Sequence, residues 1–182
     1  MSASTVTTRA NRPSLGTAEG VRRTTMASPV GQLTLYAGER GLRAVLWPGE
    51  ADAFGLDVSE MIASSSDAAS GVLRAAVGQL NEYFAGTRRQ FDVALDPQGS
   101  EFQQAAWKVL SGIAYGTTIT YAEQARRMGD VNKSRAVGGA NGRNPISIIV
   151  PCHRVVGADG TLTGYAGGVE AKRWLLQHEH RA

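Results

Sequence analysis

From Thr24 the stretch TTMASPVGQLTLYAGERGLRAVLW alternates apolar and polar residues as a strand does, and SPVG and GERG interrupt it where turns are needed. Antiparallel strands joined by those turns are the expectation. Residues 1 to about 22 are rich in Ser, Thr, Arg and Gly, lack periodic apolar positions, and read as a flexible tail. Pro48 to about Ser66 reads as a polar loop. The period then changes. In GVLRAAVGQLNEYFAG, residues Val72, Leu73, Ala76, Val77, Leu80 and Phe84 recur at helical spacing, and Gly86 is a stop signal. RQFDVAL reads as one more short strand, closing a small α/β unit near Asp96-Pro97.

The second half reads mainly as helices. Ser100 can cap EFQQAAWKVLSGI with Phe102, Ala106, Val109 and Leu110 inward, and Tyr115-Gly116 ends that unit. Thr120 can cap YAEQARRMG, closed by Gly129, and NKSRAVGGANGRN reads as a third helix after a short turn. Two short helices joined through a glycine fit a helix-turn-helix whose second member is the recognition helix. ISIIVPCHRVV is an apolar, β-branched segment broken by proline, and KRWLLQHE a final helix. The fold class is therefore α/β (α+β). A tail spans residues 1–22, an N-terminal α/β domain with antiparallel strands spans 23–97, and a mainly helical domain spans 98–182.

Composition narrows the function. With 42% hydrophobic and 19% charged residues the chain is that of an ordinary globular protein. No apolar run is long enough to span a bilayer and no signal-peptide core opens the chain, so a cytoplasmic protein without membrane contact is expected. A single cysteine excludes an intrachain disulfide and a multi-cysteine zinc site. The net charge of +3 is unevenly spread: residues 1–97 hold nine Lys/Arg against ten Asp/Glu, and residues 98–182 hold ten against six. Arg126, Arg127, Lys133, Arg135 and Arg143 cluster, opposed within residues 126–143 only by Asp130. Such a cluster is either a solvated face or a phosphate-binding surface.

Pro151-Cys152-His153-Arg154 carries the candidate chemistry, flanked by Ile148, Ile149 and Val150 before and Val155 and Val156 after. A lone cysteine is usually an inert small hydrophobe. Adjacent His and Arg favour the thiolate, which is the nucleophilic form. From these residues alone, both readings stay open.

The blocks FQQAAWKVL, YGTTITYAEQA, SRAVGGANGRNP, IIVPCHRVVGADGTLTGYAGG and KRWLLQHE, in that order, resemble the O6-alkylguanine-DNA alkyltransferase family over nearly all of residues 100–175. SPVGQLTLYAGERGLRAVLW and LNEYFAG look like the family's smaller domain. The resemblance implies irreversible, single-turnover transfer of an alkyl group from O6 of guanine, and from O4 of thymine, to Cys152. His153 would take the thiol proton through a water, and Glu179 would fix the imidazole tautomer. Asn144 would brace the turn before the cysteine. Tyr121 would press on the target phosphate and donate a proton to the leaving base. It implies a flipped nucleotide, with Arg135 as the finger filling the gap. Ala136, Gly138, Gly139, Ala140 and Arg143 would form a helix surface lying close in the minor groove.

Tyr165, Ala166, Val155 and Cys152 would line the base pocket. A serine is common at the Ala166 position in relatives, so a hydroxyl contact is missing here. No cofactor and no metal are expected, and the partner is double-stranded DNA bound by a monomer, with cooperativity along DNA left open. Three rivals differ in kind. A sensor of the same fold lacks the acceptor cysteine, a regulator would prefer an operator, and a cysteine hydrolase would turn over repeatedly.

Overall fold

The computed structural model describes residues 20–50 and 67–181. The sheet order is β1 (Arg22–Met26), β2 (Leu33–Gly38), β3 (Gly41–Leu46), all antiparallel. Ser28 and Gly31 exchange backbone hydrogen bonds of 3.1 Å across SPVG. Gly38 pairs with Gly41 across GERG. Val21 is 1% exposed and Arg22 opens β1, so the sheet takes up the end of the expected tail; residues 1–19 lie outside the described residues. Of the expected Pro48–Ser66 loop, residues 51–66 also lie outside them.

The alternation seen in the sequence sorts side chains between two buried faces. Leu33, Leu35, Ala37, Leu42 and Val45 join the main core, whereas Tyr36, Ala44 and Leu46 pack with Val21 on the other face. Helix α1 (Ala68–Phe84) starts at Asp67, whose side chain accepts from Ser70 N, and buries Leu73, Ala76, Leu80 and Tyr83 in the main core.

RQFDVAL does not form a strand. The segment is extended, but it reaches the sheet only at Leu95, through Leu42 N to Ala94 O and Asp96 N to Leu42 O, both 2.8 Å. The reason lies on β3, whose outer edge is shared. Its first residues take Ala94–Asp96. Further along, Val45 N donates to Pro145 O at 2.9 Å and Ser147 N to Val45 O at 3.3 Å. The edge of the sheet thus carries the loop that leads to Cys152.

In the second half, α2 (Glu101–Ser111) opens with a capping box between Ser100 and Gln103. Its inward stripe is Ala106, Trp107 and Leu110, while Phe102 and Val109 are only half-buried, a rotation from the expected face. Trp107 Nε1 donates to Ala140 O at 2.9 Å, which fixes that rotation. Strand β4 (Ile119–Thr120) runs parallel to β5 (Val155–Val156) and leads directly into α3 (Tyr121–Arg127), capped by Thr120. Gly129 at φ 96° makes the turn. A 3-10 turn, Val131–Lys133, then precedes α4 (Ser134–Asn141), so the expected third helix is α-helical only from Ser134. Helix α5 (Gly168–Arg181) closes the fold. Among the described residues no helix is long and apolar enough to cross a membrane.

Candidate active site

Asn144 ends the excursion that follows α4. Its amide Nδ2 donates to Val150 O at 2.8 Å and to Cys152 Sγ at 3.3 Å, and its Oδ1 accepts from Ile146 N at 3.0 Å. Within the loop so closed, Ile148 is fully buried at φ 73°. A β-branched residue rarely adopts that conformation, which costs on the order of 1–3 kcal/mol. The apolar run therefore folds as a tight loop rather than a strand, because Asn144 and the β3 edge hold both its ends.

Cys152, His153 and Arg154 follow as one 3-10 turn, all buried. His153 Nε2 lies 2.7 Å from Glu179 Oε1. Since a carboxylate only accepts, Nε2 carries the hydrogen and Nδ1 bears the free lone pair. Nδ1 is buried with no hydrogen-bond partner among the described residues.

Glu179, a helix residue only 4% exposed, is a hub. Besides His153, its Oε1 accepts from Tyr83 Oη at 2.8 Å and Arg154 Nη2 at 3.0 Å. Its Oε2 accepts from Arg154 Nε at 2.9 Å and Gly116 N at 3.1 Å. Burial alone would raise this carboxyl, but the His153 and Arg154 donors outweigh it and hold the group far below the usual carboxylate range. Burial pushes the His153 imidazole down, against the pull of Glu179, so the neutral ring is the resting form.

The sequence suggested that basic neighbours would ionise the thiol. The structure corrects this: burial pushes Cys152 up, and the Asn144 hydrogen bond and the nearby Lys172 charge offset it only in part. Arg154 is spent on Glu179 and on Ile113 O at 2.6 Å. The resting sulfur is a thiol whose proton must leave during the reaction.

Tyr165 packs edge-on to Trp47 with ring centroids 5.5 Å apart and faces His153 at 6.5 Å. Its hydroxyl is buried without a partner among the described residues. Ala166 is half-buried beside it. Gly167 lies against the Trp47 indole, where an added Cβ would sit 2.5 Å from ring atoms. Val155 O accepts from the buried Lys172 Nζ at 2.6 Å, leaving one lone pair.

On the helical surface, Arg135, Ala136 and Gly139 are exposed, and Gly138 is half-buried with its α-carbon facing the Tyr121 ring. Arg135 makes no hydrogen bond or ion pair among the described residues. Arg143 donates to Gly139 O at 3.2 Å. Ala140 departs from its expected place on the outer surface. It is 2% exposed because Val137, Ala140 and Asn141 form the inward stripe of α4. The basic cluster is also less open than the sequence implied. Glu123, one turn upstream, pairs with both Arg126 and Arg127, at 2.9 Å to Arg127, and Asp130 lies 3.8 Å from Lys133.

Sequence reasoning missed Tyr83, Lys172 and Trp47, and it read Arg154 as a neighbour of the thiol, whereas the structure pairs it with Glu179. Tyr83 stood outside the apolar set read for that helix, and nothing in its spacing marks the hydroxyl.

A buried thiol held by Asn144, followed in the chain by an imidazole paired with an ionised carboxylate, makes a candidate thiol-nucleophile site in a chain that also exposes an arginine on α4. Residues 101–181 match the family model described as 6-O-methylguanine DNA methyltransferase, DNA binding domain, and residues 21–97 match its ribonuclease-like domain. The chain belongs to the 6-O-methylguanine DNA methyltransferase family.

It is 46% identical over 153 residues to the methylated-DNA--protein-cysteine methyltransferase of Methanosarcina acetivorans, covering 84% of this chain and 94% of that one. To the protein of that name from Mycobacterium tuberculosis it is 57% identical over 109 residues, covering 60% and 66%. The crystal structure of the M. tuberculosis O6-methylguanine methyltransferase superposes with a TM-score of 0.76 at 43% identity, covering 88% and 93%. The M. tuberculosis protein in complex with DNA superposes at 0.71 and 44% identity, covering 88% and 92%.

Proposed function

We propose that this protein repairs DNA by moving the alkyl group of O6-alkylguanine onto Cys152, once per molecule. The observation that carries the reading is a buried thiol held by Asn144 and followed in the chain by a neutral imidazole, whose Nδ1 is buried and without a partner among the described residues and whose Nε2 binds an ionised carboxylate, within a chain of this family. In the reaction the Sγ–H proton passes to His153 Nδ1, directly or through a water. Sulfur attacks the alkyl carbon, the carbon–O6 bond breaks with its electron pair going to the base, and the base regains one proton. Glu179 stabilises the imidazolium that forms. Asn144 holds the sulfur, and its amide donor favours the developing thiolate. Regenerating the thiol would mean breaking the stable carbon–sulfur bond of the thioether product, so turnover stops at one.

Cys152 is 7% exposed, so a base inside a duplex cannot reach it and the nucleotide must rotate out. Arg135, exposed at the start of α4, is suited to enter the vacated stack. Tyr121, at the first position of α3, would guide the phosphate and supply a proton to the base. Exposed Ala136 and Gly139 let the helix approach the minor groove closely, and α3 with α4 would act as the helix-turn-helix. Tyr165, Ala166 and the backbone of Val155 and Cys152 would hold the flipped base. The cytoplasmic location, the monomeric state and the division at residues 23–97 and 98–182 belong to the same reading.

Mass spectrometry tests it. Incubation with a duplex containing O6-methylguanine is expected to add one methyl group to the Cys152 peptide and to stop at one equivalent. Cys152→Ser should bind the duplex and acquire nothing. An unmodified wild-type peptide under tight binding would identify a sensor, and continued turnover a hydrolase.

A further inference from the structure

We infer that Tyr83, on the helix of the N-terminal half, is a positioning residue for the transfer reaction, because its phenol shares with His153 the one carboxylate oxygen that orients the imidazole. The inference rests on the function proposed above and adds a residue to it.

Tyr83 is fully buried in the last turns of α1, far in sequence from the thiol. Two consecutive residues of α5 grip it. Glu179 Oε1 accepts from the phenol at 2.8 Å, and His178 Nε2 lies 2.7 Å from the Tyr83 carbonyl oxygen and donates to it. The His178 ring also stands edge-on to the Tyr83 ring at 5.3 Å and stacks on Trp174 at 4.9 Å. The phenol is therefore held at its backbone and its ring, and its hydroxyl has one direction left to point.

Glu179 Oε1 accepts three donors: Tyr83 Oη, His153 Nε2 and Arg154 Nη2. Each hydrogen bond draws negative charge from the oxygen. An imidazolium at His153 is stabilised by what charge remains. The phenol thus sets how basic Nδ1 is, without touching the sulfur or the alkyl group.

The other charged and titratable groups facing this pair are Arg154 in the same 3-10 turn, Lys172 on α5, Tyr115 before β4, Cys152 itself, and Tyr165 and Glu50 near the thiol. A phenolate at Tyr83 is excluded in the working range, since burial and the Glu179 charge push it far above the ordinary value. The phenol acts only as a donor.

The sign follows. Transfer needs neutral His153, so the rate falls as pH drops through the imidazole value. Tyr83→Phe leaves more charge on Oε1, stabilises the imidazolium and moves that acid limb upward. Replacing Tyr83 by 3,5-difluorotyrosine, a stronger donor of nearly the same size, moves it downward. The experiment is the single-turnover rate of methyl transfer from an O6-methylguanine duplex against pH, on the full chain. The expected shifts are on the order of half a pH unit in opposite directions.

An acid limb unmoved by both replacements, or moved the same way by both, overturns the inference whatever their thermal stability. Should the Phe variant fail to fold, the fluorinated chain alone decides by the direction of its shift. If the wild-type chain transfers no methyl group, the proposed function fails instead.

Discussion

His153, Tyr115 and Tyr165 each keep a buried polar atom with no partner among the described residues, and they differ in what that atom can do. The phenols hold hydroxyls, whereas His153 Nδ1 holds a lone pair that can take up a proton. The same burial makes the residue a stability switch. An imidazole in the unfolded chain titrates near its ordinary value of about 6.5, and the folded one lies lower. As pH falls, the unfolded chain binds the proton first. The contribution is full above that unfolded value and is lost as pH drops toward the folded one. Glu179, also depressed on folding, adds a loss of the same sign in stronger acid. The urea midpoint should therefore decline between about pH 7 and 5, and His153→Gln, which keeps a donor toward Glu179, should flatten the decline. A midpoint that rises on acidification would contradict the neutral-imidazole assignment.

Between α3 and α4 the contact is a reciprocal amide pair. Gln124 Nε2 donates to Asn141 Oδ1 at 3.0 Å, and Asn141 Nδ2 donates back to Gln124 Oε1 at 2.7 Å. Gln124 Nε2 also reaches Ala106 O at 3.2 Å, so three helices meet on one buried side chain. Apolar packing slides easily, while a buried amide pair has one register. Asn141→Ala strands part of the Gln124 amide and should cost about 1–3 kcal/mol in urea unfolding. It should also weaken duplex binding, because α4 loses its fixed tilt against α3. Full duplex affinity in a destabilised variant would show that helix orientation is set elsewhere.

For the molecule as a whole, DNA binding depends on how much of the basic surface is free. Arg126 and Arg127 share Glu123, whose carboxyl the Arg127 hydrogen bond holds below its ordinary value. Removing that charge should release both guanidinium groups toward phosphate. Glu123→Gln is expected to bind duplex DNA several-fold tighter at low salt, with a steeper loss of affinity as salt rises. An unchanged salt slope would place those arginines off the DNA path. At this scale the two halves are also interdependent. The β3 edge carries Pro145 and Ser147, Trp47 Nε1 donates to Ser147 Oγ at 3.0 Å, and α1 sends Tyr83 to Glu179.

The sequence by itself determined the elements that rest on local rules: hairpins at SPVG and GERG, helices capped at Ser100 and Thr120, a stop at Gly129, and the pairing of a candidate thiol with an adjacent imidazole. Period and capping are properties of neighbours in the chain, so they can be read there. Tertiary structure alone decided what depends on distant partners. RQFDVAL stayed out of the sheet because β3 had another claimant for its edge, and ISIIVP became a strained loop because Asn144 and Val45 held its ends. Ala140 turned inward under Trp107, and burial kept the thiol protonated against its basic neighbours. Tyr83 joined Glu179 only because α1 and α5 pack together, and no spacing in the chain encodes a hydrogen bond between residues so far apart.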